Sequence, residues 1–244
     1  MISQTDYRVD ETVSILSNWL KKRLTEQNFA WLNQKITKIT NHASEKILFT
    51  SFSAVPRHLG KEKLNLSLKE LQSVSSIAGW NPVDWTIDQA ARSLLLLSFP
   101  AIDAAAYVAT LDKIIAAADV EEAIAFYQSL PLLPYPEKFQ LRAAEGIRTN
   151  MSSVFNAVAL NNPYPAQYLD DLAWNQMILK ALFIGSPLKA IYSLQSRNNP
   201  QLSQMLIDYA RERLAANRTV SPELWHLAEP FQPEAVAQLK SKFS

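Results

Sequence analysis

Signals that begin α-helices recur along the whole chain and constrain its fold more than any other feature. Ser67–Glu70 and Thr86–Gln89 have the spacing of capping boxes, in which a hydroxyl accepts from a free amide and the third residue reaches back. Asp119 precedes two acidic residues, while Asn199 and Ser221 each stand before a proline at the first helical position. These patterns predict helices that begin at defined residues.

Features that favour strands are scarce. The 244 residues include four glycines and contain no Asn-Gly or Asp-Gly pair, the dipeptides typical of tight hairpins. The sequence therefore predicts an all-α fold with no sheet. We expect helices at 9–26, 28–40, 42–53, 67–77, 86–98, 101–116, 119–130, 136–160, 165–184, 199–217, 221–228 and 232–242.

The connections between the predicted helices are short, and several contain proline. Short connections favour antiparallel neighbours, so we expect a right-handed array of antiparallel helical hairpins, an α-α superhelix of the HEAT-like type. No residue-level repeat is visible, so a regular repeat array is not established. No low-complexity linker divides the chain, which predicts one helical domain over residues 1–244.

Charge and cysteine content exclude several classes of function. The 24 basic and 23 acidic residues balance to a net charge of +1, which argues against a nucleic-acid partner held through its phosphates. Without cysteine, neither disulfides nor thiolate chemistry is available. Pro100 and Asp103 interrupt the most apolar stretch, residues 93–109, and the N-terminus lacks a secretory signal. We therefore expect a cytoplasmic protein without a transmembrane segment.

A stripe of polar side chains follows one predicted helix, 136–160. At 100° per residue, Arg142, Glu145 and Asn156 fall on one side with Arg148 at its border, opposite an apolar face. A solvated face is usually rich in lysine and glutamate. This stripe instead holds arginine, glutamate, threonine, serine and asparagine, which are shorter groups with fixed donor and acceptor geometry. The alternative is an exposed helix whose Arg–Glu pairs each contribute only a few tenths of a kcal/mol.

The next predicted helix, 165–184, is apolar on two sides, which indicates a helix packed between two layers with Trp174 buried. Asp171 and Asn175 lie one turn apart between those sides, with Lys180 opposite. Buried polar groups need partners, and we expect the preceding polar stripe to supply them.

The two helices together predict a polar patch, which is a binding site, a buried structural network or a solvated face. Arginine in such a patch is suited to bidentate capture of a carboxylate or phosphate. The candidate ligand- or partner-binding residues are Arg142, Glu145, Arg148, Asn150, Asn156, Trp174, Asn175 and Lys180.

Motifs of catalysis and metal binding are missing from the sequence. The Asp170–Asp171 pair stops short of the D-D-x-x-D carboxylate cluster that would hold Mg²⁺ against a diphosphate. The three histidines, His42, His58 and His226, are far apart and form no H-E-x-x-H. A glycine-rich phosphate loop and a nucleophile elbow are also lacking. We therefore predict no catalytic residue set, no metal and no cofactor.

Four stretches of the chain resemble the EboA family of metabolite traffic proteins. They are SFSAVPRHLGK at 51–61, WTIDQAARSLLLL at 85–97, the long stretch from LPLLPYPEKFQ through ALFIGSPL at 130–188, and YARERLAANRTVSPELW at 209–225. The resemblance covers about residues 45–230, and we interpret residues 1–40 as variable N-terminal helices.

The resemblance implies a small all-helical cytoplasmic protein. Such proteins are encoded beside enzyme-like proteins and a prenyltransferase-like membrane protein, and are implicated in moving a biosynthetic intermediate across the inner membrane. No catalytic residues come with the resemblance. We therefore expect a non-catalytic scaffold or carrier that assists export of a secondary-metabolite intermediate to the periplasm, with the metabolite, pathway proteins or a membrane protein as partners. The alternative is an enzyme of unrecognised type that modifies that metabolite.

Overall fold

The computed structural model describes residues 4–74 and 77–242, with side chains from residue 8 onward. Helices make up 70% of the structure, and no strand occurs within these described ranges. The prediction of an all-α fold is therefore confirmed. The chain divides into two compact units, an N-terminal unit (Met1–Val158) and a C-terminal unit (Ala159–Ser244). The single-domain prediction and the right-handed hairpin array stay predictions.

The N-terminal unit contains nine helices in its described part, the last of which ends at the boundary between the units. Their bounds are α1 Gln4–Arg23, α2 Glu26–His42, α3 Glu45–Leu59, α4 Leu68–Gln72, α5 Ile87–Leu97, α6 Ala104–Ala117, α7 Val120–Ser129, α8 Gln140–Arg148 and α9 Ser152–Ala159. A 3₁₀ turn over Pro136–Phe139 precedes α8. Residues 75 and 76 of the predicted 67–77 helix lie outside the described residues.

The C-terminal unit contains five helices within its described residues. Their bounds are α10 Tyr164–Tyr168, α11 Asp171–Ile184, α12 Pro200–Ala215, α13 Pro222–Ala228 and α14 Pro233–Lys242. Helix α12 packs against α11, α13 and α14, so it is the common neighbour of the longer helices in this unit.

Local sequence accounts for where the helices begin. The Ser67 hydroxyl accepts from the Glu70 amide at 3.3 Å while the Glu70 carboxylate accepts from the Ser67 amide at 3.0 Å, which completes the predicted capping box. Asp119 accepts from the amide three residues on at 2.8 Å, and Asn199 does the same at 2.8 Å. Ser221 caps α13, with proline next to it. Each cap satisfies an amide that the first turn leaves unpaired.

Helix α5 is the centre of the N-terminal unit and packs against α1, α2, α3 and α7. Ten of its eleven residues are buried, because the run Leu94–Leu97 presents apolar groups all round the helix. Full burial of each leucine stabilises the fold by about 1.5–3 kcal/mol.

Inside this core, Arg92 pairs with Asp88 one turn earlier, with Nη1 2.8 Å from Oδ2 and both side chains 2% exposed. The Arg92 Nε also donates to the Phe52 carbonyl at 3.1 Å, and its guanidinium lies 5.4 Å from the Phe52 ring centroid. These contacts fix α5 to α3. A charge at this depth is tolerated because the Asp88 carboxylate balances it and two of its nitrogens donate hydrogen bonds.

The prediction of one helix over 136–160 is wrong. The chain forms the 3₁₀ turn, α8 and α9, with a break at 149–151. Thr149 takes an extended conformation with ψ 147°, and its hydroxyl accepts from the Met151 amide at 3.2 Å. A threonine hydroxyl that bonds the local backbone competes with the helix, and the polar stripe is therefore not one continuous face.

The predicted helix 165–184 is also interrupted. Leu169 is extended with ψ 144°, and the Asp170 carboxylate starts α11 by accepting from the Ala173 amide at 2.7 Å. The expectation that this helix is apolar and covered on two sides is wrong in part, since Leu172 is 55% and Phe183 69% exposed. Only the opposite face of α11 lies in the core.

Candidate functional site

Arg142 is the centre of a charged cluster on the N-terminal unit. Its Nε donates to Asp112 of α6 at 2.7 Å, and its Nη1 donates to Glu145 one turn later on α8 at 2.7 Å. We call Asp112, Arg142 and Glu145 the Arg142 cluster. The two carboxylates hold the pKa of the guanidinium above its ordinary value, chiefly through the hydrogen bond to Asp112. All three side chains are between 29% and 52% exposed, so ligands in solution can reach them.

A glycine lets α8 approach its neighbours beside this cluster. A Cβ on Gly146 would lie 2.7 Å from Val158 of α9 and 2.8 Å from the Tyr127 ring of α7. Burial, followed by the nearby charge of Glu145, raises the pKa of Tyr127 to about 12. Close packing therefore requires glycine at this position. Helix α8, which carries Arg142 and Glu145, is tightly packed against α7 and α9 beside the cluster.

The other predicted residues of this unit take separate positions. Arg148 ends α8 and is exposed, and Asn150 is exposed in the break between α8 and α9. Asn156 is half-buried on α9. Among the five predicted residues of the N-terminal unit, the direct ion pair brings together Arg142 and Glu145.

Asn175 of α11 is wholly buried and forms a reciprocal amide pair with Asn199. Asn175 Nδ2 donates to Asn199 Oδ1 at 3.2 Å, and Asn199 Nδ2 donates back to Asn175 Oδ1 at 2.9 Å. Asn199 is also the cap of α12, so one side chain both begins α12 and ties it to α11. The expectation that the polar stripe of residues 142–156 satisfies Asn175 is replaced by this pair.

Trp174 is fully buried as predicted, beneath the guanidinium of Arg197 at 4.8 Å from its ring centroid. Arg197 Nη1 donates to the carbonyls of Pro165, Ala166 and Leu169 at 3.3, 3.2 and 2.9 Å. Its Nη2 donates to Asp171. Arg197 thus binds the carbonyls at the C-terminal end of α10, where a cation is favourable. It also pairs with the acid in the first turn of α11. The Trp174 indole nitrogen has no hydrogen-bond partner among the described residues.

Lys180 is half-buried on α11, and burial lowers the pKa of its ammonium group. Trp174, Asn175 and Lys180 belong to the C-terminal unit, whereas the other five candidate residues belong to the N-terminal unit. Their membership in one binding patch stays a prediction.

Sequence reasoning missed Asp112, Tyr127 and Arg197. Asp112 stands on α6, 30 residues before Arg142, and Tyr127 stands on the preceding helix α7, and no local pattern connects either residue with Arg142. Arg197 precedes the predicted Asn199-Pro200 cap, a signal that located the helix start but not the partner of Asp171. Among the described residues, no group of three or more histidine, aspartate or glutamate side chains is arranged to hold a metal ion.

A protein-family model described as Metabolite traffic protein EboA matches residues 12–229 of this chain. The chain belongs to the EboA family. The EboA match starts at residue 12, well ahead of residue 45, where the resemblance in the sequence begins. Neither a curated protein nor a solved structure gives a significant match to this EboA-family chain. In its described residues, no helix is long and apolar enough to cross a membrane.

Proposed function

We propose that this EboA-family protein is a non-catalytic, cytoplasmic scaffold or carrier. It assists export to the periplasm of a biosynthetic secondary-metabolite intermediate, together with other proteins of its gene cluster. The family description supports a role in metabolite traffic. The predicted right-handed array of helical hairpins is part of this proposal, because stacked hairpins offer extended surfaces for partners.

The observation that carries the proposal is the chemistry of the Arg142 cluster. A guanidinium has five N–H donors and stays protonated, so it recognises anions but does not transfer protons. Asp112 and Glu145 hold that guanidinium in place by one hydrogen bond each. A fixed arginine with further donors, flanked by two carboxylates that are already paired with it, suits binding of a polar group better than general acid–base catalysis.

The test is to purify the chain from its native host and identify bound small molecules by mass spectrometry. We expect Arg142→Gln to retain severalfold less of the molecule and to complement a deletion strain poorly. Because both ion pairs of Arg142 are partly exposed, Arg142→Gln should change the free energy of unfolding by no more than about 1 kcal/mol. Arg211→Gln is the matched control, since Arg211 also pairs with an acid three residues away, Asp208, at the surface.

Two results would contradict the proposal. Turnover of the retained molecule by the purified chain would identify an enzyme. Normal retention and complementation by both Arg142→Gln and Arg148→Gln would remove the Arg142 cluster and its neighbour from the binding site.

A further inference from the structure

A groove on the C-terminal unit has the volume and lining of a small-molecule site. Its walls are the end of α11 around Phe183, the α12 face that carries Tyr209 and Arg213, and the connection between α12 and α13 around Val220. The groove is partly open to solvent and has a volume of about 570 Å³. Small-molecule sites in proteins span roughly 300–1,000 Å³. We call this feature the Phe183 groove.

Two aromatic side chains line the Phe183 groove. Phe183 is 69% exposed although it belongs to a helix with a buried face. Single exposed apolar residues are common on protein surfaces. Phe183 differs in lining a concave site together with the half-buried Tyr209 and apolar side chains such as Leu182 and Leu224. A flat apolar ring placed there would cover Phe183 and remove apolar surface from water.

Arg213 supplies the charge of the groove. It is the charged residue among the eleven that line it. Its Nε donates to the Thr219 carbonyl at 2.8 Å, its Nη1 donates to the Tyr209 hydroxyl at 3.4 Å, and its guanidinium lies 5.8 Å from the Tyr209 ring centroid. Within the described part of the chain, no carboxylate forms an ion pair with Arg213. The guanidinium is thus held in place by neutral groups, and an anion can use its remaining donors without displacing a carboxylate.

From this combination we propose that the Phe183 groove binds an aromatic small molecule that carries an anionic group, with the ring on Phe183 and the anion on Arg213. The inference rests on the proposed function, because it assigns to the carrier a second ligand site, whose lining residues are not those of the Arg142 cluster. The expected ligand is a small organic anion, since the volume of the groove suits one and the charge of its lining is positive.

The test uses two dyes with the full chain. 8-Anilinonaphthalene-1-sulfonate is an aromatic anion, and N-phenyl-1-naphthylamine has the same rings without the sulfonate. Wild-type protein should bind the anionic dye more tightly. Arg213→Gln should weaken binding of the anionic dye about tenfold and change binding of the neutral dye by less than about twofold, because hydrogen bonds to charged groups carry that difference. Phe183→Ala should weaken binding of both dyes.

Matched controls lie on the same helices outside the groove. Arg211→Gln removes an exposed arginine of α12, and Leu172→Ala removes an exposed apolar side chain of α11, so both should bind as wild type does. Circular dichroism and cooperative melting establish that each variant is folded. Phe183→Ala should fold normally, because it truncates an exposed side chain. If Arg213→Gln unfolds at a lower temperature than wild type, Phe183→Ala alone tests the groove.

The proposal is wrong if Arg213→Gln and Phe183→Ala both bind the anionic dye with wild-type affinity. It is also wrong if the wild-type protein does not bind that dye. Failure of the groove and failure of the proposed function remain distinguishable. If host-purified protein carries a metabolite while both groove variants bind dye normally, the carrier function stands and the groove is wrong. If the dyes report the groove but host-purified protein carries no metabolite, the groove stands and the carrier function is wrong.

Discussion

At the scale of single residues, Trp174 and Arg197 show how a buried aromatic ring and a cation are combined in the C-terminal unit. The ring is fully buried and the guanidinium lies over it at 4.8 Å, while the indole nitrogen lacks a partner among the described residues. An unpaired buried donor disfavours the folded state. The ring therefore stabilises the folded state through its buried apolar area and its contact with the guanidinium. The unpaired N–H reduces that stabilisation.

We predict that Trp174→Ala lowers the free energy of unfolding by about 3–5 kcal/mol, as for large aromatic residues truncated in cores. Trp174→Phe should cost clearly less, because it keeps a ring over which Arg197 lies and removes the unpaired N–H. Urea denaturation of both variants measures the difference. An unchanged midpoint for Trp174→Ala would show that the ring is not part of the core.

A second prediction at this scale concerns the buried ion pair of α5. Arg92→Met should leave Asp88 as an uncompensated buried charge and destabilise the fold by about 3–5 kcal/mol. The double variant Arg92→Met with Asp88→Asn should recover part of the loss, since it removes the unpaired charge. Arg57→Met, at an exposed arginine of α3, is the control and should be nearly neutral. A double variant no more stable than Arg92→Met would contradict this account.

At the scale of elements, the close approach of α7, α8 and α9 depends on Gly146. In a solvent-exposed helix, glycine to alanine stabilises by about 1 kcal/mol. Here the added Cβ would meet Val158 at 2.7 Å and Tyr127 at 2.8 Å. The lack of space for the new methyl group, and not helix propensity, therefore decides whether Gly146→Ala raises or lowers the free energy of unfolding.

We predict that Gly146→Ala destabilises the protein by about 1–3 kcal/mol, as overpacking does in a tight core. Thermal and urea melts of Gly146→Ala, Val158→Ala and the double variant form a mutant cycle. The double variant should be more stable than the sum of the single changes implies, because Val158→Ala makes room for the new methyl group. Simple additivity would show that the Val158 contact is not the cause.

Local sequence signals were sufficient to predict where several helices begin, but not where two predicted helices are interrupted. Caps at Ser67, Asp119, Asn199 and Ser221 were predicted from residue types and their nearest neighbours in sequence, and the structure confirms them. The breaks at 149–151 and 169–170 were missed. Thr149 and Asp170 bond the neighbouring backbone there, and an apolar period that continues on both sides of a break conceals it.

At the scale of the whole molecule, the free energy of unfolding depends on pH through ionisable side chains that the fold buries. Burial and the charge of Glu145 raise the pKa of Tyr127 from 10.0 to about 12. For a raised pKa, the stabilising contribution is complete below the unfolded value and is lost as pH rises through the folded value. Tyr127 therefore stabilises the neutral-pH fold and opposes it in strong alkali.

We predict that Tyr127 ionises late. The phenolate absorbance of wild type minus Tyr127→Phe should be absent near pH 10 and appear near pH 12. Unfolding of wild type in alkali should begin at a pH where Tyr127→Phe is still folded, if packing in the variant is kept. A difference signal that titrates near pH 10 would show that the Tyr127 hydroxyl is open to solvent.

For this chain, helix caps, the scarcity of turn glycines and the long family stretches were enough to predict an all-α fold and the EboA family, because these signals are local. Burial of Trp174 also followed from one helix, since Met177 and Ile178, one turn further along it, are apolar. The partners of the polar residues did not follow. Asp112 with Arg142, Arg197 with Asp171 and Asn199 with Asn175 are contacts between elements, and hydrogen-bond geometry across elements depends on tertiary packing. The exposed Phe183 and the groove beside Arg213 arise for the same reason, since packing decides which apolar side of α11 is covered.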